Sequence, residues 1–382
     1  MPDAKTGRLI ALAYFILLSI GVTFSLAGVV TKDIAGDFGV DTYVIGYRFT
    51  LFSIGYSLAV LGNGFVVDRV NVRKEALAAA CLAIFAILGA AYFDTLMAFS
   101  LFIFIYGVGM GVLLSVAYYL VMNLSDEETR ATRVSLLNFF FSLGAIVAPL
   151  LAGLALGQGL GWRIVYLATL VLLVTVVAVV WVLPLNVKTR KAAKTKDAEN
   201  GWNAKVYIMG AALFAYVLSE MIFTYWIVLY MLEKLGLPVE AASASLSVFW
   251  VFMAVGRFLS GVFISRFNLA GFITTCAALA FAAFVALLSV QNPYLAMALI
   301  GVMGLGYSGL YATILSYGTL QVPRPSTRLT TFFLTLSTSS GILSFVLSSY
   351  LRASFDVTVV LMMSAALMAV VTLLSAFSGV RR

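Results

Sequence analysis

The chain contains no histidine and little charge, and both absences narrow what it can be. Of its 382 residues, only 10% are Asp, Glu, Lys or Arg, whereas a soluble domain carries roughly 25%. Water therefore cannot solvate most of this surface. The lack of histidine excludes histidine-ligated metals, histidine general bases and histidine proton relays. The two cysteines, Cys81 and Cys276, are too few for a disulfide framework, and we interpret them as buried thiols.

Signatures of energy-consuming or catalytic domains are also missing. The sequence has no Gly-rich nucleotide loop, no metal-ligand cluster and no polar stretch long enough for a soluble domain. An enzyme, a membrane sensor and an ATP-driven pump are therefore disfavoured, and we expect no cofactor and no metal.

What the chain does have is apolar sequence. Hydrophobic residues make up 63% of it, and they cluster in twelve segments that reach the roughly 20 residues needed to cross a bilayer. The sequence therefore predicts an all-α membrane protein with twelve transmembrane helices. The predicted segments are Leu9–Val30, Val44–Val67, Ala76–Phe93, Leu96–Met122, Val134–Leu156, Ile164–Leu183, Val206–Leu232, Ala241–Ile264, Ala270–Val290, Tyr294–Leu320, Leu329–Leu351 and Val357–Phe377.

The positive charges predict the orientation of these helices. With the N-terminus inside, 19 of the 24 Lys and Arg residues fall on the cytoplasmic side, as the positive-inside rule requires. The five on the outer side are Lys32, Arg48, Arg163, Lys234 and Arg352. We therefore expect a multi-pass protein of the bacterial cytoplasmic (inner) membrane with both termini in the cytoplasm.

A basic run, Lys188–Lys196, separates two halves of similar length. A nucleic-acid patch is one interpretation, but a solvated linker near anionic lipid headgroups suits a segment between two membrane helices better. The predicted organisation is a six-helix bundle at 1–185, a cytoplasmic linker at 186–203 and a second six-helix bundle at 204–382. We expect membrane lipids but no nucleic acid as partners, and a monomer.

The two halves share a short motif. Gly64–Asn71 reads GFVVDRVN, and Gly261–Asn268, which lies 197 residues later, reads GVFISRFN. Gly, Arg and Asn recur in the same register, and each motif ends an apolar run of helical length. A half-chain repeat in a hydrophobic protein is typical of a transporter built from two pseudo-symmetric bundles.

Here the sequence resembles a known family. Gly64–Lys74 is similar to the cytoplasmic loop 2–3 motif of the major facilitator superfamily (MFS), Gly-x-x-x-Asp-Arg-x-Gly-Arg-Arg. Asn71 replaces the second Gly of that motif, and Val72 replaces the first of its two final Arg residues. Shorter stretches resemble the fucose-permease-like group and, within it, the TsgA-like branch; they are Asn138–Ala145, Phe249-Trp250, Gly256-Arg257, Tyr311–Ile314 and Gln321–Ser326.

The resemblance implies a cytoplasmic gate at the loop motif. A carboxylate at Asp68 would lie near the start of helix 11, where the helix dipole favours negative charge. Ion pairs from neighbouring arginines would then help to hold the two bundles together, and the echo would form a weaker latch because Ser265 replaces the acid. The alternative is that these charges only set topology. The predicted gating residues are Gly64, Asp68, Arg69, Arg73, Arg257 and Arg266.

Glu220 is the acid that the sequence places deepest in a membrane helix. Because intramembrane charge is costly, it is a candidate for binding a coupling proton or the solute. Tyr216 and Thr224 lie one helical turn away on either side and share its face. The alternative is a structural carboxylate paired with a buried Arg or other polar groups. Asp33 and Asp94 lie at helix ends, where we expect them to be solvated.

Other polar and aromatic side chains at mid-helix depth are candidates for the wall of a solute cavity. Aromatic faces beside an amide suit a sugar or another small polar solute, although packing alone explains many single aromatics in membrane helices. These candidates are Asn138, Ser142, Tyr106, Trp250, Tyr307, Tyr311 and Thr335.

The leading hypothesis is a secondary active transporter of a small polar organic solute, sugar-like or an organic acid. It would work by rocker-switch alternating access and take up a coupling proton or sodium ion, with Glu220 as the proton site. A drug or toxic-ion exporter of the same fold is the alternative. The fucose-permease resemblance does not supply the coupling group, because the helix 1 and helix 4 carboxylates used there have no counterpart in this chain.

Overall fold

The computed structural model describes residues 4–66, 71–183, 202–263, 268–322 and 327–379. Helices occupy nearly all of these ranges. They are α1 (Ala4–Phe38), α2 (Thr42–Val66), α3 (Val72–Tyr92), α4 (Leu96–Leu124), α5 (Glu127–Gly157), α6 (Trp162–Ala168), α7 (Leu170–Val182), α8 (Ala204–Glu233), α9 (Val239–Phe263), α10 (Leu269–Ser289), α11 (Pro293–Ser308), α12 (Leu310–Thr319), α13 (Thr327–Ser354) and α14 (Val357–Gly379).

The described ranges contain twelve helical spans long and apolar enough to cross a membrane, which confirms the prediction. The helix pairs α6–α7 and α11–α12 each form one of these spans, interrupted at Thr169 and Gly309. The first helix is longer than predicted, because it continues from Val30 to Phe38. The prediction followed the apolar run, but a helix already formed continues through polar residues, since each added residue completes one more backbone hydrogen bond.

Large apolar side chains also cover the outside of the helices. Val182, Phe258 and Val171 are 78%, 73% and 70% exposed. Such exposure would be unfavourable in water and is expected against lipid. Cys81 is likewise exposed and Cys276 is partly exposed, so the interpretation of both as buried thiols is wrong. The Cys81 side chain faces away from the neighbouring helices, whereas Cys276 lies near the contact of α10 with α11 and is covered in part.

The chain divides into two compact units, Met1–Ala192 and Ala193–Arg382. In the first, α1 packs against α5 while α2 and α3 pack against α4. Glycines allow the closest of these crossings. A Cβ atom on Gly21 of α1 would overlap the Phe141 carbonyl oxygen of α5, and one on Gly107 of α4 would overlap the Phe52 carbonyl oxygen of α2. Small residues permit this backbone contact, which is a common way to associate membrane helices.

The second unit repeats one of these crossings. There α9 packs against α11, and α8 packs against α13 and α14. A Cβ atom on Gly304 of α11 would overlap the Phe249 carbonyl oxygen of α9. Both residues lie 197 positions after Gly107 and Phe52. The spacing of the sequence motif is therefore also the spacing of a helix contact.

Ion pairs join helix ends in the first unit. Arg163, at the start of α6, donates to Asp37 near the end of α1 and to Asp94 before α4, the latter at 2.7 Å. The neighbouring Trp162 donates its backbone N–H to Asp33 at 2.6 Å. Asp33 and Asp94 are exposed, as expected from the sequence, and each also accepts a hydrogen bond from the start of α6.

The second unit has ion pairs at the corresponding helix ends. At the end of α8, Glu233 pairs with Arg352 of α13 at 2.9 Å. The next residue, Lys234, pairs with Asp356, just before α14, at 2.7 Å. The hydrogen bond from Lys234 lowers the pKa of Asp356 to about 2, against the opposing effect of partial burial. Because Asp356 is about half exposed, its ion pair contributes little to stability.

Candidate solute and coupling site

Glu220 lies in the middle of α8 and is 7% exposed. Its carboxylate interacts with the hydroxyl of Tyr216, one turn earlier on the same helix. That hydroxyl also lies 3.3 Å from the carbonyl oxygen of Tyr307. Thr224, one turn later, donates instead to the backbone carbonyl of Glu220 at 2.8 Å. The helix thus brings Glu220 and Tyr216 together, while the Thr224 hydroxyl is engaged with its own backbone.

Arg257 of α9 supplies positive charge to this site. Its guanidinium interacts electrostatically with both Glu220 and Tyr216. The sequence analysis assigned Arg257 to the cytoplasmic gate and did not predict its electrostatic interaction with Glu220. The sequence does contain a signal for this interaction. Glu220 and Arg257 are intramembrane charges of opposite sign in consecutive helices, and such charges usually pair.

Tyr307 lies near Glu220 and belongs to a network of buried hydroxyl groups. Its hydroxyl is 2.6 Å from that of Ser219 on α8, which is in turn 2.9 Å from the hydroxyl of Ser364 on α14. All three residues are fully buried. Since its hydroxyl is bonded inside the second unit, the described contacts favour packing over solute binding for Tyr307.

Tyr106 occupies the equivalent place in the first unit. Its hydroxyl is 2.6 Å from Thr23 of α1 and also hydrogen-bonds Thr169, where α6 and α7 meet. Tyr106 is 2% exposed. The two tyrosines thus tie the same three spans of each unit together, and Tyr106, like Tyr307, has the contacts of a packing residue.

The remaining candidates of the second unit are two aromatic residues, Tyr311 and Trp250, and the polar residue Thr335. The ring of Tyr311 is partly exposed, and its centroid lies 6.5 Å from that of Tyr216. Trp250 of α9 is 4% exposed and packs edge-on against Phe249. Thr335 is exposed on α13. The structure therefore brings Glu220, Tyr216 and Tyr311 together.

Asn138 and Ser142 belong to the first unit. Asn138 is exposed and accepts a hydrogen bond from the Tyr118 hydroxyl of α4 at 3.3 Å. Ser142 is buried and donates to the Asn138 backbone carbonyl at 3.2 Å. Only Asn138 thus offers polar atoms on the exposed face, and its partner Tyr118 was missed by the sequence analysis.

The predicted gate is described only in part. Asp68, Arg69 and Arg266 lie outside the described residues. Gly64 lies in the last turn of α2. Arg73, in the first turn of α3, donates to the Trp181 carbonyl oxygen at the end of α7 and lies over the Trp181 ring. A cation at a helix C-terminus is favourable by up to about 1 kcal/mol, so Arg73 stabilises its own unit.

A second buried acid was also missed. Glu75, in the first turn of α3, is 8% exposed, although the sequence analysis identified Glu220 as the deep acid. Because Glu75 follows Arg73 and Lys74, the sequence predicts that it belongs to a solvated basic turn. Its burial depends on the tertiary packing of α3 against its neighbouring helices.

Comparison with known proteins identifies the family. The family model described as Major Facilitator Superfamily matches residues 12–345. The chain belongs to the Major Facilitator Superfamily. Like other members, this MFS protein is a multi-pass secondary transporter of small solutes and not an enzyme.

Relatives in sequence and structure agree with that assignment. The protein TsgA homolog of Serratia proteamaculans (strain 568) is 26% identical over 350 residues, which cover 91% of this MFS chain and 89% of the relative. A crystal structure of the MFS transporter FucP in the outward conformation matches with a TM-score of 0.65 and 17% identity, covering 99% of both chains. The nucleoside transporter NupG matches with a TM-score of 0.75 and 15% identity, covering 98% of this chain and 100% of NupG. At these identities the two structures show a shared fold.

Proposed function

We propose that this transporter is a proton-coupled symporter of a small polar organic solute, sugar-like or an organic acid, in the bacterial cytoplasmic membrane. Glu220 binds the coupling proton, and the two units alternate access by a rocker-switch motion with both termini in the cytoplasm. The observation that carries the proposal is a carboxylate buried at the centre of α8, with Tyr216 and Arg257 as its partners.

The electrostatics of this site suit reversible protonation. An isolated carboxylate at the centre of a membrane helix costs several kcal/mol or more, and Arg257 offsets part of that cost while Glu220 is ionised. When Glu220 takes up a proton, its electrostatic attraction to Arg257 is lost. The positive charge of Arg257 then attracts the oxygens of an anionic or hydroxyl-rich solute more strongly, which links proton binding to solute binding.

The structural relatives support the choice of solute class. FucP of E. coli is a fucose:proton symporter, and NupG is a nucleoside transporter. Both solutes are small and rich in hydroxyl groups. A site with Tyr216, Tyr311, Glu220 and the nearby charge of Arg257 offers aromatic faces and charged hydrogen-bond partners to such molecules.

The test is solute accumulation in proteoliposomes under an imposed proton gradient. A thermal-shift screen over sugars, organic acids and cationic drugs first supplies the solute; stabilisation by cationic drugs alone would favour the exporter. We expect Glu220→Gln to abolish gradient-driven accumulation and to leave part of the solute exchange intact, because Gln cannot carry the proton. Glu128→Gln, which changes an exposed acid of α5, is the matched control and should accumulate solute normally. Unchanged accumulation by Glu220→Gln would remove the coupling role.

A further inference from the structure

Glu75 and Asn63 form a pair of buried polar side chains that the transport proposal does not use. Glu75 is 8% exposed in the first turn of α3, and Asn63 is 6% exposed near the end of α2. The Asn63 amide approaches the Glu75 carboxyl group from the neighbouring helix. Among the residues that the structure describes, both Glu75 oxygens and the Asn63 Nδ2 atom nevertheless lack a partner at hydrogen-bond geometry.

No positive charge is turned toward Glu75 from the described helices around it. Of the helices packed against α3, α4 and α7 contain no charged residue, and the Arg163 of α6 is at the far end of the unit. On α3 itself, the Arg73 guanidinium is bound to Trp181 and the Lys74 side chain is exposed. Among the described residues, an ionised Glu75 would therefore be a buried charge without a counter-ion, which is far more costly than the α3 helix dipole can offset.

We propose that Glu75, together with Asn63, is a proton-binding site in the first unit. A proton taken from water converts the carboxylate to the neutral acid. The acid O–H then donates to the Asn63 Oδ1 atom, and the Asn63 Nδ2–H donates to the other Glu75 oxygen. This cyclic acid–amide pair gives a partner to each of the three buried atoms that otherwise lack one. The site is separate from Glu220, which lies in the other unit.

Infrared spectroscopy of the full-length protein at neutral pH tests the proposal. The C=O stretch of a protonated carboxyl group is expected in the wild type and should disappear in Glu75→Gln. It should shift in Asn63→Leu, which keeps the acid but removes its amide partner. Glu220→Gln is the control, because any band that it removes belongs to the other acid.

Thermal stability gives a second measurement. Glu75→Gln can form an amide–amide pair with Asn63 and should keep the melting temperature close to that of the wild type, whereas Glu75→Ala should lower it. If no band is assigned to Glu75, or if Gln destabilises the protein as much as Ala does, Glu75 is ionised and paired with a cation. Either result would overturn the proposal without bearing on the role of Glu220.

Discussion

Tyr106 and Tyr307 make matching contacts in the two halves of the chain, although they lie 201 rather than 197 positions apart. Each tyrosine hydroxyl meets one hydroxyl group from the first helix of its unit and one from the last span. In the first unit these are Thr23 and Thr169, and in the second Ser219 and Ser364. The partner residue types differ but the hydrogen-bonding group is the same, so both halves contain a buried hydroxyl network of the same composition.

Removing one of these hydroxyls should weaken the unit that contains it. We expect Tyr307→Phe and Tyr106→Phe each to destabilise the protein by about 0.6 to 1.7 kcal/mol, the range for hydrogen bonds between membrane helices. Differential scanning fluorimetry in detergent measures the change. Tyr311→Phe is the matched control, because only ring contacts are described for Tyr311. Equal melting temperatures for all three variants would mean that the hydroxyl network does not hold the helices together.

The arginines illustrate what a sequence motif leaves open. Arg73 and Arg257 were both predicted as gating residues, and that role stays a prediction; Arg73 binds the end of α7, and Arg257 interacts electrostatically with Glu220. A long flexible side chain reaches several neighbours from one backbone position. Its partner therefore depends on which helices lie beside it, and spacing along the chain does not specify this.

Helix crossings depend on a few glycines. Gly107 and Gly304 place α4 on α2 and α11 on α9 so closely that a methyl group at either position would overlap a carbonyl oxygen of the other helix. A backbone carbonyl cannot turn aside as a side chain can, so the helices themselves must move apart.

Alanine at these positions should therefore be destabilising, although Ala is the better helix former. Gly107→Ala and Gly304→Ala should each cost about 1–3 kcal/mol from overpacking, measured as a lower melting temperature. The control is Gly341→Ala in α13, where an added Cβ atom meets open space. That variant should be neutral or more stable, by up to about 1 kcal/mol. A comparable loss in all three would point to a loss of helix flexibility rather than to close packing.

The predicted latch joins the two units, and it remains a prediction because Asp68, Arg69, Ser265 and Arg266 lie outside the described residues. If Asp68 holds the cytoplasmic side closed, Asp68→Asn removes an interaction of about 1–2 kcal/mol, which corresponds to a roughly 5- to 30-fold change in an equilibrium. Ser265→Ala removes no charge. We therefore expect Asp68→Asn to slow solute exchange in proteoliposomes far more than Ser265→Ala, and similar rates for both would show that the motif only sets topology.

The sequence by itself determined the class of protein, the number of spans and the repeat. Twelve apolar runs predict twelve spans because a bilayer accepts only backbone that satisfies its own hydrogen bonds. The 197-residue offset recurs in the contact of Gly107 with Phe52 and of Gly304 with Phe249. The deep acid Glu220 and its neighbour Tyr216 were also predictable, because residues four apart share one helix face.

Tertiary structure alone decided which side chains from different helices meet. The electrostatic interaction of Glu220 with Arg257, the hydroxyl networks of Tyr106 and Tyr307, and the burial of Glu75 all depend on how helices rotate and cross. Apolar periodicity specifies rotation poorly here, since lipid-facing and protein-facing sides of a membrane helix are both apolar. Close packing at a few glycines and a few polar contacts sets that rotation instead. The same packing places Glu220 near Tyr216 and Arg257, and Glu75 near Asn63.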